Sequence, residues 1–431
     1  MMRNIHDRTE MSKFFWLMVT LCVKETIFRN MSIYQIAFRP GHCPSEHIFV
    51  VKSILASFKE QKKGLIASGY DLRKFFDFEE LSDCMDSLYK RGIKGKLYKL
   101  IFEMNKTFNI KVKTLVGTSR EEKTDPIVAQ GSVEAAIISS NNVDVGVTEK
   151  FDDNEREIEY ADVKLNPLSF MDDIFRLAGN ASDAQYGNDM IELMVHEKNL
   201  QFNHDKSSYI LMGSAKARKK LRTELERNPL TLEGKRMKEV KELKYLGEIL
   251  SHDLADSVHK TVVKRLGIAS YAAHEARAVV EDTRSDKLGG INIGFQILEA
   301  AILPMILHNA EVWMEIPRKT LNILDNFLNN FFRKMFRIGS GCPIANFYWQ
   351  TGFLKAGNLI LMKKLNMYHH LSNLPEESLG RIILDIQVSK DLPGLHRELK
   401  EHLDRISVED IHMIPKSVWK RKVKEYITEI N

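Results

Sequence analysis

Cysteine is scarce in this chain: four residues, at positions 22, 43, 84 and 342, far apart in sequence and with no Cys-x-x-Cys pair to begin a zinc finger. A disulfide scaffold, a zinc finger and an iron–sulfur site are therefore poor readings, and the usage fits a reducing compartment. Charge of one sign is not in marked excess either. Lys and Arg number 63 against 58 Asp and Glu, an imbalance too small to argue a polyanionic partner from net charge. Long apolar runs are missing: residues 14–23 are mostly apolar behind Arg3, Arg8 and Lys13, but the run is too short to span a bilayer. Lys24 and Glu25 follow where a signal peptide needs small residues, so we expect a buried helix or strand, no secretion and no membrane partner. No period of 20–50 residues repeats, which removes solenoids and propellers. What remains is an ordinary globular balance, 44% apolar and 28% charged, over 431 residues, room for two or three domains at roughly 150 residues each.

The first half mixes strands and helices. Residues 64–71 read as a buried strand, and Leu81, Cys84, Met85 and Leu88 then fall at helical spacing. Asp77 and Glu80 form a capping signal before that helix, and Gly92 a stop after it. A second helix is predicted over 96–104, and Ile110, Val112 and Thr114 alternate as a half-exposed strand. Between 144 and 162 eight acids meet only Lys150 and Arg156, which reads as a solvated loop insertion. Residues 160–165 then turn at Asn166-Pro167 and return over 168–175 as a hairpin. After about residue 250 long helices take over, with an apolar seam of Leu321, Leu324, Leu328, Phe331 and Met335 that stops at Gly339 and Gly341. The expected architecture is an α/β first domain and a mostly helical second one.

Three carboxylates carry the chemistry. Asp71 closes the buried strand, and Asp172-Asp173 sit in Phe170-Met171-Asp172-Asp173-Ile174, two acids bracketed by apolar residues. Burying bare carboxylates is costly unless a cation or hydrogen bonds compensate. Adjacent acids at a hairpin apex suit hard divalent cations such as magnesium, which takes oxygen ligands and keeps sites for water and phosphate. A strand-end Asp with a hairpin Asp-Asp is what two-metal phosphoryl transfer requires, with ions about 3.5–4 Å apart. Taken singly, each acid also fits a turn residue or a cap.

In sequence order, six segments resemble the reverse transcriptase domain of non-LTR (LINE-type) retrotransposons. Asp71-Leu72-Arg73-Lys74-Phe75-Phe76-Asp77 is similar to its first palm motif, Gln130-Gly131-Ser132 to the opening of its second, and Phe170-Met171-Asp172-Asp173 to its F/Y-x-D-D box. Asn203-x-x-Lys206 resembles the following motif, Lys244-Tyr245-Leu246-Gly247 the primer-grip turn, and Ala37-Phe38-Arg39-Pro40-Gly41 the fingers segment. The resemblance spans residues 35–250. It implies an α/β (α+β) right-hand polymerase palm with partial fingers over 34–250, preceded by an N-terminal segment 1–33 read as a remnant of fingers, and followed over 251–431 by a helical thumb and C-terminal region.

The implied activity is RNA-directed DNA polymerisation, nucleotidyl transfer from a dNTP to a primer 3′-hydroxyl on an RNA template and a DNA primer or target, in the nucleus or cytoplasm. The resemblance makes Asp71, Asp172 and Asp173 ligands of two Mg2+ ions, Lys206 an aid to the pyrophosphate, and Arg39 a contact of the triphosphate. It puts Gln130, Gly131 and Ser132 beneath the templating pair and Tyr245, Leu246 and Gly247 in the primer grip. Phe76, in that comparison, packs under the sugar and favours dNTPs; read alone it is a core aromatic like Phe75. Asp77 reads as a cap rather than a ligand, and Lys206 alone reads as a solvated turn lysine.

Ala37 departs from the family's usual Gly, and Val133-Glu134 replace its common Pro-Leu. The earlier template-gripping segments are expected to be absent or replaced by residues 1–31, with no upstream endonuclease and no terminal Cys/His knuckle, as in a polymerase piece of an element. A second function class stays open: a catalytically inactive, transposon-derived RNA-binding protein that keeps the palm. An RNA-dependent RNA polymerase or an intron-maturase relative is a third. Outside the palm, Lys216, Arg218, Lys219, Lys220 and Arg222 crowd one segment. Near the C-terminus Lys416, Lys420 and Lys424 share a helical face beside Trp419, which reads as the better nucleic-acid contact because an aromatic in a basic helix can stack or anchor. His369-His370 reads as core rather than ligand.

Overall fold

The apolar run near the N-terminus is helical. In the computed structural model, which describes residues 10–106, 109–111, 113–114, 117–123, 128, 132, 134–151, 156–282, 289–406 and 411–430, it lies in α1 (Glu10–Asn30). Trp16, Val19, Val23 and Ile27 recur at three and four residues and are buried, whereas Phe14, Met18 and Leu21 are exposed. Among the described residues no helix is long and apolar enough to cross a membrane. The chain divides into two units. Residues 1–44, 64–211 and 215–240 make the first, and residues 45–63, 212–214 and 241–431 the second. Helix α2 (Pro44–Glu60) belongs to the second unit from Ser45 onward.

In the first unit, β1 (Leu65–Tyr70) is the expected buried strand. A short helix α3 (Phe75–Phe78) precedes α4 (Leu81–Lys90), whose Leu81, Cys84, Met85 and Leu88 are all buried as their spacing predicts. Asp77 is not the cap: the left-handed Lys74 starts α3, the Asp77 N–H donates to the Lys74 carbonyl, and α4 begins at Glu80 with no side-chain cap bond. Next come α5 (Gly95–Lys106) and four two-residue strands, β2 (Asn109–Ile110), β3 (Lys113–Thr114), β4 (Gly117–Thr118) and β5 (Glu122–Lys123), paired β2 with β5 and β3 with β4. Val112 lies outside the described residues.

The acidic stretch differs from its expectation. Residues 144–151 belong to α6 (Ala135–Phe151), and Asp144 is buried, ion-paired with Arg91 and accepting a hydrogen bond from the Ser32 N–H at 3.0 Å. Its charge is compensated by residues distant in sequence, so composition alone misreads the segment as solvated. The hairpins differ too. Strands β6 (Ile158–Tyr160) and β7 (Val163–Leu165) pair across Ala161-Asp162, while β8 (Leu168–Phe170) and β9 (Asp173–Ala178) pair across Met171-Asp172. Asn166-Pro167 therefore links two hairpins instead of turning one.

Helix α7 (Ala181–Glu197), capped by the Asn180 side chain on the Asp183 N–H, lies against β1 and β9. Strand β10 (Ser208–Met212) and the basic α8 (Ala215–Arg227) follow, then the hairpin β11 (Thr231–Leu232) and β12 (Lys235–Arg236), and β13 (Lys238–Glu239). The main sheet runs β13-β10-β1-β9-β8. Ile66, Tyr70, Ile174 and Leu211 from the strands meet Ile191, Met194, Leu221 and Leu225 from α7 and α8 in one core.

The second unit holds the hairpin β14 (Leu243–Tyr245) and β15 (Glu248–Leu250), then α9 (Leu254–Asp282), α10 (Gly289–Ile297), a π-helical turn Leu298–Ile302, α11 (Leu303–Ile306), α12 (Arg318–Phe336), α13 (Ile344–Thr351), α14 (Ala356–Ser372), α15 (Leu379–Ser389), α16 (Leu395–Ile406) and α17 (Lys416–Ile430). The predicted seam on α12 is real: Leu324, Leu328, Phe331 and Met335 are buried, and the helix ends where Arg337 turns left-handed. Arg333 donates to the Gly339 and Cys342 carbonyls and secures the chain beyond that end.

The boundary expected at 250 differs from the observed division, because α2 and β14–β15 belong with the helices. A buried charge cluster joins α2 to β15. Lys52 on α2 and Glu248 on β15 are fully buried with Nζ–Oε2 at 2.9 Å, and Arg265 (3.1 Å) and the Trp313 Nε1–H (3.1 Å) donate to the other Glu248 oxygen. Burial pushes the Lys52 ammonium pKa down while Glu248 opposes the shift.

Glu248→Ala is expected to cost about 3–5 kcal/mol by leaving Lys52 buried without its counter-charge. Adding Lys52→Met should cost less than the sum of the two single changes in chemical denaturation, and strict additivity would count against the cluster.

The histidines of this unit give a pH dependence. Burial holds the pKa values of His259, His308, His369, His396 and His402 below the ordinary imidazole value. The unfolded chain takes up protons near pH 6.5 while the folded unit resists them, so stability is full above that pH and declines as pH falls below it. In a Trp16→Phe background Trp313, Trp349 and Trp419 report this unit alone, and the melting temperature read from their fluorescence should fall between pH 7.5 and 5.5. A flat profile would contradict the assignment.

Candidate functional site

Strand pairing decides where the three acids lie. Between β1 and β9 the antiparallel register runs from Ile66 opposite Ala178 to Tyr70 opposite Ile174, and Phe170 faces Asp173 across the β8–β9 turn. One step beyond the last pair sets Asp71 opposite Asp173, where facing Cα atoms lie about 4.5–5.5 Å apart in a regular ladder. Side chains alternate along a strand. Tyr70 and Ile174 point into the core beneath α7, so Asp71 and Asp173 project from the other face of the sheet. Asp172 is the second residue of the turn and half-buried, Asp173 is exposed, and the Asp71 side chain is 32% exposed.

The backbone of Asp71 is held by the next motif. Its carbonyl accepts the Asn203 N–H (2.8 Å), its own N–H donates to Ser207 Oγ (3.1 Å), and the Lys206 and Ser207 N–H groups close a turn onto the Asn203 carbonyl (3.0 and 2.8 Å). That turn brings Lys206 Nζ within 3.6 Å of Asp71 Oδ1, with Lys206 68% exposed. His204, in the same turn, meets Glu233 at 2.6 Å and ties it to the β11–β12 hairpin. Asp71, Asp172, Asp173 and Lys206 thus come from three separated segments to one end of the sheet. Carboxylate oxygens suit a hard divalent cation and partial exposure leaves room for water and phosphate ligands, although the oxygens of the three acids do not all lie within 4.8 Å of one another.

Other expected residues are distributed more widely. Arg39 is half-buried, and its Nη2 donates to the Phe28 carbonyl at the end of α1 (3.2 Å). Phe76 is partly buried, edge-on to Phe75 with centroids 5.5 Å apart. Gln130 and Gly131 lie outside the described residues, and Ser132 is half-buried just before α6. Tyr245, Leu246 and Gly247 belong to the second unit. There Leu246 and Gly247 form a tight turn with positive φ (43° and 81°), the Leu246 carbonyl accepts from Asn309, the Gly247 carbonyl accepts from Arg265, and the buried Tyr245 hydroxyl meets His47 Nδ1 at 3.1 Å.

Trp419 is corrected as a nucleic-acid contact. It is buried, stacked on His369 with centroids 5.3 Å apart, and its Nε1–H donates to the Leu365 carbonyl, so its ring is unavailable for base stacking. The signal was present in the sequence: Trp419, Val423, Tyr426 and Ile427 share one helical face, and all four are buried. Lys416, Lys420 and Lys424 remain exposed.

Sequence reasoning missed Gln35. This wholly buried residue pairs with Ser169 in a parallel bridge, and its amide reaches the backbone of Met171, the residue before Asp172.

No family model matches the chain, and no curated protein matches it. Among solved structures the chain is similar to apo telomerase of Candida tropicalis, at 10% identity and TM-score 0.41 over 95% of this chain and 61% of that one. It is also similar to telomerase of Candida albicans in complex with a fragment of telomeric RNA, at 10% identity and TM-score 0.41 over 79% of this chain and 57% of that one. A Candida tropicalis telomerase truncated from its C-terminal domain aligns at 11% identity and TM-score 0.39, over 55% and 44%. The chain spans between 44% and 61% of the length of these telomerase chains.

Proposed function

We propose that this chain is an RNA-directed DNA polymerase of the non-LTR retrotransposon type, with residues 34–250 acting as palm and partial fingers and the helical remainder as thumb. The observation that carries this reading is the β1–β9 register, which sets Asp71 at the sheet end occupied by the Asp172-Asp173 hairpin turn. The six ordered motifs support it.

Asp71 and Asp172 would hold two magnesium ions, with Asp173 beside them. When bound, the ions supply an activated primer 3′-hydroxyl and charge stabilisation for the leaving pyrophosphate. Lys206, mostly exposed and 3.6 Å from Asp71, would swing its ammonium towards phosphate oxygens arriving at that carboxylate. Arg39 serves the triphosphate from the fingers side. Phe76, partly buried against its neighbours, presents a fixed edge under the sugar and excludes a 2′-hydroxyl by bulk. Gln130, Gly131 and Ser132 would serve the templating pair, and Tyr245, Leu246 and Gly247 would support the primer, their turn held by Asn309 and Arg265. Lys416, Lys420 and Lys424 offer phosphate contacts that carry no sequence preference.

Asp172→Asn should lower primer extension at least about 100-fold, the scale of losing one group that stabilises transition-state charge. Filter binding of the RNA template should stay within about twofold, because the amide keeps the shape of the turn and leaves phosphate contacts untouched. Equal loss of binding and extension would make the residue structural, and RNA binding without extension in the wild-type chain would favour the inactive RNA-binding reading.

Phe76→Val should raise rNTP incorporation relative to dNTP by about tenfold or more, because rejection of the hydroxyl is steric. A folded variant with the wild-type ratio would return Phe76 to the core.

A further inference from the structure

The turn that carries Asp172 is strained. Met171 adopts φ 60°, a left-handed conformation that a non-glycine side chain visits uncommonly. Such residues persist where their surroundings over-determine them, and they cluster at functional sites. Here the Met171 side chain packs against the core of the first unit, and its backbone is held by one side chain. Gln35 Oε1 accepts the Met171 N–H at 3.1 Å, and Gln35 Nε2 donates to the Met171 carbonyl at 3.4 Å, so a single amide grips both polar groups of the strained residue. The same Oε1 accepts the Ala37 N–H at 3.1 Å. Backbone bonds repeat the attachment: the Ser169 N–H donates to the Tyr34 carbonyl at 2.9 Å, and Gln35 bridges Ser169. No part of Gln35 is exposed, so it touches neither solvent nor substrate. It joins the segment that bears Arg39 to the turn that bears Asp172.

We infer that Gln35 is a positioning residue, the clamp that fixes the Met171-Asp172 turn in the conformation that aims the Asp172 carboxylate at a divalent cation shared with Asp71. The inference rests on the polymerase reading and deepens it, by making cation affinity depend on a side chain that is not a ligand. Gln35→Leu keeps the bulk and removes every hydrogen bond of the amide, so Met171 is free to relax to a negative φ and carry Asp172 away. Gln35→Glu keeps the length, and in the neutral form that full burial favours, its carbonyl oxygen accepts the Met171 and Ala37 N–H groups while its O–H donates to the Met171 carbonyl.

The test is a titration of the full chain with Mn2+ followed by electron paramagnetic resonance, with no nucleotide present. Sites lost in Asp172→Asn define the candidate cation site. The expected result is that Gln35→Leu raises the half-saturating Mn2+ concentration of those sites by about tenfold or more, the range seen when a group supporting a ligand is removed. Gln35→Glu should stay within about threefold of wild type, while both variants keep the wild-type far-ultraviolet circular dichroism and bind RNA. If Gln35→Leu fails to fold, Gln35→Asn carries the test, since it keeps the amide but falls one methylene short of Met171. Unchanged half-saturation in a folded variant, with wild type binding Mn2+ through Asp172, overturns the clamp and leaves the polymerase reading standing. Absence of any site sensitive to Asp172→Asn in the wild-type chain overturns the reading itself, and the clamp with it.

Discussion

The candidate site depends on the antiparallel pairing of β1 with β9. Two segments about a hundred residues apart are locked by a ladder from Ile66 opposite Ala178 to Tyr70 opposite Ile174, and the end of that ladder is where the acids collect. A slip of one residue would reverse every side chain, sending Asp71 into the core and Tyr70 out of it. Burial prevents the slip. Tyr70 is held by a hydrogen bond from its hydroxyl to Asn188 on α7 (2.7 Å), and Ile174 packs in the same core. Hydrophobic contact beneath the sheet thus sets the position of polar chemistry above it.

Polar groups do comparable work elsewhere. In the first unit Asp144 on α6 joins Arg91 and the Ser32 backbone, and Asn203 and Ser207 clasp the backbone of Asp71. In the second, Glu248 gathers Lys52, Arg265 and Trp313 below the Leu246-Gly247 turn. Each cluster fixes a turn or a helix end that hydrophobic packing alone would hold loosely, and each is costly to break on one side only.

These clusters also mark where the sequence stops being legible. Local periodicity found β1, α4 and the buried stripe of α12, because their apolar spacing is short-range and their burial follows from it. The acids of the candidate site were legible for a related reason, since Asp71 ends an apolar strand and Asp172-Asp173 interrupt an apolar hairpin. The helical nature of residues 144–151 was not legible, because the partner of Asp144 is Arg91, 53 residues upstream. The pairing of Lys52 on α2 with Glu248 on β15 was not legible either, because the two lie 196 residues apart. Gln35 gave no signal, because a single glutamine between a tyrosine and an isoleucine has no pattern, and its partner Met171 lies 136 positions away. Trp419 was misread although its pattern was present: the basic residues around it drew attention from the apolar face it shares with Val423, Tyr426 and Ile427.

If the sheet register sets a cation site, the ions should be found between Asp71 and the Asp172-Asp173 turn and nowhere else of comparable occupancy in the first unit. Crystals of the full chain soaked in Mn2+ and measured for anomalous scattering test this most directly. The account predicts one or two peaks within metal–oxygen coordination distance, about 2.0–2.2 Å, of carboxylate oxygens from both Asp71 and Asp172. Peaks confined to other acids, or an ordered and empty Asp71–Asp172 site at saturating Mn2+, would contradict it.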